Sequence, residues 1–157
     1  MTPRRPKRDL ITELIREFRV SGNLDNAFDG VAAKLLGVSD TDLRCLNIIE
    51  NSRGLSAGEL AVQSGLSTGA VTGVIDRLER AGFARRTPDA GDRRRVNVAV
   101  TRSFYARAER IWGPVADDWL STLSKHFSAG ELETIVDFVG LASDVSRRQL
   151  ERLREWR

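Results

Sequence analysis

A glycine between two short amphipathic segments constrains the fold of this chain more than any other feature. Ala61 is small enough to let a second helix cross closely over the first, and Gly65, four residues later, suits a turn that needs a positive φ angle. Ser67 then stands where the second helix should be capped. This spacing predicts a helix-turn-helix motif. The positions expected to bury the face shared by the two helices are Leu60, Leu66, Val71 and Val74.

The sequence predicts a β-hairpin directly after this motif. Gly82 should end the second helix, and residues 83–87 and 95–100 have the character of two short strands, the latter with alternating valines. Residues 88–92 between them read Pro-Asp-Ala-Gly-Asp, which is typical of a turn. The three arginines at 93–95 are the densest positive charge in the chain, and planar guanidinium groups suit the narrow minor groove of DNA.

Together, the helix-turn-helix and the basic hairpin indicate a winged-helix fold that binds DNA. Neither motif alone establishes DNA binding. Two helices can cross in the core of any protein, and a run of charged residues is often only a solvated surface. Their adjacency in the sequence favours DNA binding over both explanations. A winged helix used only for protein interaction is the remaining alternative, but such a module has no need for three adjacent arginines.

These motifs resemble the DNA-binding core of the MarR (multiple antibiotic resistance regulator) family of bacterial transcription factors. The resemblance covers residues 39–101 most closely, and its most specific part is the wing signature at 89–94. One departure is Phe104, which stands where the family commonly has a glycine after the threonine that closes the wing. The stretches that match the family are Asp42–Leu46, Glu59–Ala61, Val71–Glu79, Gly82–Arg86, Asp89–Arg94 and Val98–Thr101.

The resemblance implies a mainly α fold with a small β-wing. A winged helix-turn-helix core at about 39–101 would be flanked by N- and C-terminal dimerisation helices, at about 9–20 and 102–157. Residues 1–8 are expected to form a flexible basic arm, and residues 9–157 a single domain of this family. Outside the core the pattern predicts helices at about 9–20, 24–36, 102–126 and 129–155, with a kink at Pro114.

The terminal helices carry more apolar surface than a small winged-helix core can cover. Apolar stripes along terminal helices usually pack against a second copy of the chain, although packing within one subunit must bury part of their surface. In the MarR family these helices form a homodimer, which would place two DNA-reading helices about one DNA turn, ~34–36 Å, apart on a pseudo-palindromic operator. The stripes are Ile11, Leu14, Ile15 and Phe18; Ile111, Trp112, Val115, Trp119, Thr122 and Phe127; and Leu132, Ile135, Val136, Val139, Leu150 and Leu153.

The predicted DNA contacts lie at the start of the second helix and on the wing. The candidates for reading base edges are Ser67, Thr68, Ala70 and Thr72. Arg77 is expected to contact phosphate or base from the next turn. Arg93 and Arg94 would serve the wing, one of them in the minor groove, and Asp92 would orient either Arg94 or Arg77 by a charge-assisted bond.

Many MarR-like proteins bind a small aromatic or anionic effector between the dimerisation helices and the winged helix. Candidates for such contacts here are Phe18, Phe28, Arg44 and Trp112, with packing or surface roles as the alternative for each. Some relatives sense oxidants through a cysteine instead. Cys45 lies on an apolar helix, where a buried and inert thiol is the better interpretation. The resemblance thus implies a ligand-responsive repressor, with a thiol-based oxidant sensor as an alternative.

Composition narrows the remaining function classes. The chain has 157 residues and a net charge of +3, and the positive excess comes from the middle segment that contains the motif. One cysteine rules out an internal disulfide, which suits a bacterial cytoplasmic protein associated with the nucleoid when bound, and no segment predicts a membrane span or signal peptide. With one histidine, no glycine-rich phosphate loop and no metal-ligand spacing, we expect neither an enzyme nor a cofactor or metal site.

Overall fold

The computed structural model describes residues 5–52, 54–88 and 96–156. The described part divides into two compact units, one ending at Ile111 and the other beginning at Trp112. The predicted fold class, mainly α with a small wing, is confirmed. In chain order the elements are α1 (Lys7–Leu36), α2 (Asp40–Asn51), β1 (Leu55–Ser56), α3 (Ala57–Ser64), α4 (Thr68–Arg80), β2 (Ala84–Pro88), β3 (Val96–Val100), α5 (Arg102–His126) and α6 (Ala129–Arg154).

Serine residues fix the starts of α2, α3, α4 and α6. In each case the serine hydroxyl accepts a hydrogen bond from the amide three residues later, which satisfies a backbone donor that has no partner within the helix. At Ser56 and Ser128 the side chain of a glutamate three residues later also accepts a hydrogen bond from the amide of the capping serine. The same reciprocal pair forms between Ser39 and Asp42, so that carboxylate is already held by the start of its own helix.

The predicted break between two N-terminal helices is wrong. A single helix, α1, covers both predicted ranges of 9–20 and 24–36 and ends at Gly37, which has a φ of 72°. A glycine inside a helix costs only about 1 kcal/mol relative to alanine, which the remaining turns of α1 can offset. A Cβ atom built on Gly22 would meet nothing within 4 Å, so that glycine marks no close approach of another element.

The sheet has three antiparallel strands in the order β1-β3-β2. The wing hairpin pairs Ala84 with Val100 at one end and Pro88 with Val96 at the other. The two wing strands are therefore confirmed, whereas β1 was not predicted. It contains two residues and depends on a distant partner, because Leu55 pairs with Val98. Strand β3 of the wing therefore pairs with the two residues of β1, immediately before α3.

Phe104, the departure from the family pattern, is a core residue at the start of α5. It is buried, and its ring meets that of Phe83 in an edge-to-face arrangement with centroids 6.0 Å apart. Arg107, one turn later, places its guanidinium carbon 5.4 Å from the centroid of Phe83. Thr101 caps this entry, because its hydroxyl accepts from the Phe104 amide and donates to the Gly82 carbonyl. The side chain at position 104 therefore packs the start of α5 against the residues that follow α4.

In the second unit, α5 runs through Pro114 to His126, and α6 follows. No described residue of α6 is buried, and apolar side chains such as Val136 remain exposed. In the first unit, α1 likewise exposes the predicted stripe of Ile11, Leu14, Ile15 and Phe18. Within the described residues, no helix is both long and apolar enough to cross a membrane.

Candidate nucleic-acid interface

Helix α4 buries one face and leaves its first turns exposed. Val71, Val74, Ile75 and Leu78 follow helical spacing and are buried, so truncating one of the larger side chains should cost about 2–5 kcal/mol. All four predicted base-reading residues are exposed: Ser67, Thr68, Ala70 and Thr72. The Thr72 hydroxyl donates to the Thr68 carbonyl at 3.0 Å, which fixes its orientation and leaves its oxygen available as an acceptor.

The turn between α3 and α4 has the conformation that the spacing predicts. Gly65 has a φ of 72°, and its amide donates to the Ala61 carbonyl at 3.0 Å. From α2, Arg44 donates from Nη2 to the Ser64 carbonyl at 3.2 Å. That bond satisfies a carbonyl at the end of α3, so α2 supports the turn directly.

Arg77 of α4 binds Asp42 of α2 through a two-point contact. Its Nε donates to Oδ2 at 3.1 Å and its Nη2 to Oδ1 at 2.7 Å. Burial alone would raise the pKa of Asp42, but the hydrogen bonds from Arg77 and Ser39, with the charge of Arg77, outweigh it and hold that pKa below its ordinary value. The bond to Asp42 correspondingly raises the pKa of Arg77. The sequence predicts that Asp92 orients either Arg94 or Arg77, whereas it does not predict the contact between Arg77 and Asp42.

The wing is joined to α4 through Arg86. Its Nη2 donates to Asp76 at 2.8 Å, its Nη1 binds Glu79, and its backbone amide donates to Glu79 at 2.8 Å. These bonds raise the pKa of Arg86, with Asp76 as the largest contributor. The neighbouring Arg85 is exposed on the same strand. Two carboxylates of α4 therefore hold one wing arginine, which the sequence analysis also missed.

Three predicted wing contacts, Asp92, Arg93 and Arg94, lie outside the described residues. The strands that lead to them are described, and they place residues 88 and 96 opposite each other. The predicted roles of these three side chains therefore stay predictions. The site as described consists of the exposed start of α4, the Arg77–Asp42 pair and the base of the wing.

A cavity of about 400 Å³ lies between α1 and the start of α2. Of the four predicted effector residues, Arg44 lines it, whereas Phe18 and Phe28 lie elsewhere on α1 and Trp112 belongs to the second unit. Burial, with the charges of Asp25 and Asp40, raises the pKa of Asp29 in its wall. The lining is mainly polar: Asn26, Asp29, Gly30, Asp40, Thr41, Leu43, Arg44 and Asn47.

Cys45 is buried in the core, as predicted. None of its surface is exposed, and burial raises the pKa of its thiol. A thiol in that environment stays protonated and behaves as a small apolar side chain. Among the described residues, no group of three or more histidine, cysteine or acidic side chains is arranged to hold a metal ion.

Comparison of the amino-acid sequence with known proteins identifies the family to which the chain belongs. A model of the MarR family matches residues 38–96, which span α2 to the start of β3. An uncharacterised HTH-type transcriptional regulator of Bacillus subtilis, YcgE, is 35% identical over 99% of this chain and 100% of its own length. The chain belongs to the MarR family of transcriptional regulators.

Solved MarR-like structures share the fold. The transcriptional regulator Tm0710 from Thermotoga maritima aligns with a TM-score of 0.61 at 22% identity, over 89% of this chain and 98% of its own. A mutant of MepR from S. aureus, solved bound to an oligodeoxyribonucleotide, aligns with a TM-score of 0.53 at 22% identity, over 86% and 97%. At these identities the likeness concerns the fold.

Proposed function

We propose that this MarR-family protein binds double-stranded DNA sequence-specifically as a homodimer and represses transcription until a small effector releases it. The observation that carries the proposal is the exposed, serine-capped start of α4 beside a wing that Arg86 attaches to the same helix. An exposed helix start of this kind suits base edges and phosphates in the major groove. The MepR mutant solved bound to an oligodeoxyribonucleotide, which has the same fold, supports DNA as the partner.

In this proposal Ser67, Thr68, Ala70 and Thr72 meet base edges, and Arg77 meets phosphate or base. Arg93 and Arg94 follow the neighbouring minor groove, with Asp92 orienting an arginine. Small side chains at the start of α4 permit close approach of its backbone to the DNA. The middle of the chain supplies the positive charge that counterion release requires.

The homodimer is proposed from the uncovered apolar faces of the terminal helices. Ile15 is 53% exposed on α1, and Val136 is 69% exposed on α6. Isolated exposed apolar residues are ordinary, but repeated ones along a helix face mark an interaction surface. A second copy that covers these faces would set two α4 helices about one DNA turn, ~34–36 Å, apart.

For the effector we propose the region around the α1–α2 cavity, where Arg44 offers a cation. Phe18 and Phe28, which also lie on α1, remain candidates for covering an aromatic part of the ligand, and the role predicted for Trp112 from the sequence stays a prediction. Thermal unfolding in the presence of small aromatic acids tests this, because a ligand that binds the native state raises its melting temperature. Any acid that does so should also release bound DNA, and Arg44→Ala should abolish both effects.

Selection of binding sites from random double-stranded DNA tests the proposed function most directly. We expect an enriched pseudo-palindrome, with affinity that falls steeply between two salt concentrations. Failure to enrich any sequence, together with salt-insensitive binding, would reject sequence-specific recognition and favour a protein-interaction module. The selected fragment then serves as the DNA probe for measuring the affinity of each variant.

A further inference from the structure

The guanidinium of Arg77 is held along one edge and open along the other. Arg77 lies in line with Ala70 and Gly73 on α4, and its side chain is 47% exposed. Its Nη1 lies 3.5 Å from the position a Cβ would take on Gly73, so the group reaches back toward the start of the helix. Asp42 occupies the Nε and Nη2 positions.

This arrangement leaves a complete donor pair. A guanidinium has five N–H groups, of which Asp42 takes two. One of the two Nη1 hydrogens and the second Nη2 hydrogen form the neighbouring Nη1/Nη2 edge. Two parallel donors on one edge match O6 and N7 of guanine, or two oxygens of a phosphate. An arginine free to rotate would present that edge only part of the time.

Asp42 is suited to hold Arg77 in place because it is itself immobilised. The residue is 3% exposed, and its Oδ2 also accepts the amide of Ser39 at 3.4 Å. It belongs to the first turn of α2, whose next residues, Leu43, Cys45 and Leu46, are core residues. The carboxylate therefore moves only if α2 moves.

We propose that Asp42 is a positioning residue for DNA recognition, which holds Arg77 so that its Nη1/Nη2 edge faces the DNA. The proposal rests on the proposed DNA binding and assigns α2, a helix outside the helix-turn-helix, a part in base or phosphate selection. A carboxylate near DNA normally weakens binding by repulsion. Neutralising Asp42 should nevertheless weaken specific binding. Losing the fixed orientation of Arg77 costs more binding free energy than removing one negative charge gains.

The test measures the affinity of the full-length protein for the selected fragment and for a scrambled fragment of the same length and composition. Asp42→Asn should lower the ratio of the two affinities by about 5-fold or more, as expected for a weakened bidentate contact. Arg77→Lys, which keeps the positive charge but not the two-point contact, should lower the ratio similarly. In an Arg77→Ala background, Asp42→Asn should have no further effect on the ratio.

Ser39→Ala is the matched control, because it weakens the same helix cap but leaves the Arg77–Asp42 contact in place. It should lower the melting temperature and leave the affinity ratio unchanged. An unchanged or raised ratio in both Asp42→Asn and Arg77→Lys would overturn the positioning role while the wild type still selects its site. A wild type without preference for the selected fragment would instead overturn the proposed function and this inference together.

Discussion

Arg86 of β2 and Asp76 of α4 are joined by a hydrogen bond of 2.8 Å between Nη2 and Oδ1. Glu79, one turn along α4, accepts the backbone amide of the same arginine. The direction of the wing relative to α4 thus depends on a charged attachment as well as on apolar packing at its base. In the proposed binding mode, affinity for DNA should depend on that attachment, because helix α4 and the wing would contact neighbouring grooves at the same time.

We expect Arg86→Ala to weaken binding to the selected DNA more than Arg85→Ala does. Both variants remove one positive charge from β2, but only the first frees the wing and leaves two carboxylates uncompensated beside the DNA. The free energy of unfolding should change by less than about 1 kcal/mol, since the ion pairs are partly exposed. Anisotropy titrations measure the affinities, and equal losses in the two variants would mean that charge alone matters.

Arg94→Ala should weaken specific binding by about 1–3 kcal/mol, as for a well-placed groove contact. The slope of affinity against salt concentration should also become shallower if this arginine neutralises a phosphate. Titrations of wild type and variant at several salt concentrations measure both quantities. Wild-type affinity in Arg94→Ala would remove the tip of the wing from the proposed interface.

Acid should abolish the stability that Asp42 contributes. Its pKa in the folded protein lies below its ordinary value of 3.8, so the unfolded chain binds a proton first as the pH falls. The contribution is therefore complete above the unfolded pKa and is lost as the pH drops through the folded one. Near neutral pH, Asp42→Asn should lower the free energy of unfolding by about 1–3 kcal/mol, as for a buried hydrogen bond to a charged group.

Urea unfolding of the wild type and of Asp42→Asn, measured from about pH 6 to about pH 3, checks how the contribution of Asp42 to stability depends on pH. The two curves should begin to approach each other as the pH falls through the unfolded pKa of 3.8. A constant difference across the range would show that the Asp42 carboxylate is not what stabilises this contact.

Cys45 should not respond to mild peroxide. Its thiol is buried, and burial raises its pKa, so little reactive thiolate forms. Cys45→Ser should lower stability by about 1–3 kcal/mol because it buries a hydroxyl in an apolar site, whereas Cys45→Ala loses only packing. Gel shifts with and without peroxide provide the readout. Peroxide-driven DNA release in the wild type that disappears in Cys45→Ser would reassign the protein as an oxidant sensor.

Removal of residues 129–157 should give monomers or aggregates, because it deletes α6, whose apolar side chains are uncovered in one chain. A milder test is Val136→Glu, with the exposed Glu133→Lys as a charge-changing control on the same helix. Sedimentation at micromolar concentration should show a dimer for wild type and control only. Operator affinity should fall with the dimer, since a half-site loses its linked second contact. A monomeric wild type would contradict the proposed assembly.

Local chemistry made much of this fold predictable from the sequence. The caps at Ser56, Ser67 and Ser128 and the turn at Gly65 depend on residues within one helical turn of each other. The sequence does not predict that α1 continues through Gly22. The low helix propensity of one glycine is outweighed by the surrounding helical turns. The two-residue β1 was missed because only its distant partner makes it a strand.

The candidate site divides in the same way. The exposed start of α4 follows from periodicity, and the sequence analysis found it. The partner of Arg77 is 35 positions away, and no periodic signal connects the two residues. One local sign was present, since an aspartate three residues after Ser39 is placed to complete a cap. That sign indicates a helix start and says nothing of an arginine on another helix.

The pairing of Leu55 with Val98 also bears on how quickly the protein folds. It closes a chain loop that contains α3, α4 and β2. Closing a loop of about 40 residues costs on the order of 3 kcal/mol in chain entropy, whereas the helices inside it need only local contacts. We therefore expect both helices to form early and the third strand to join late. The rate-limiting step would then be the return of β3 to two residues that lie immediately before α3.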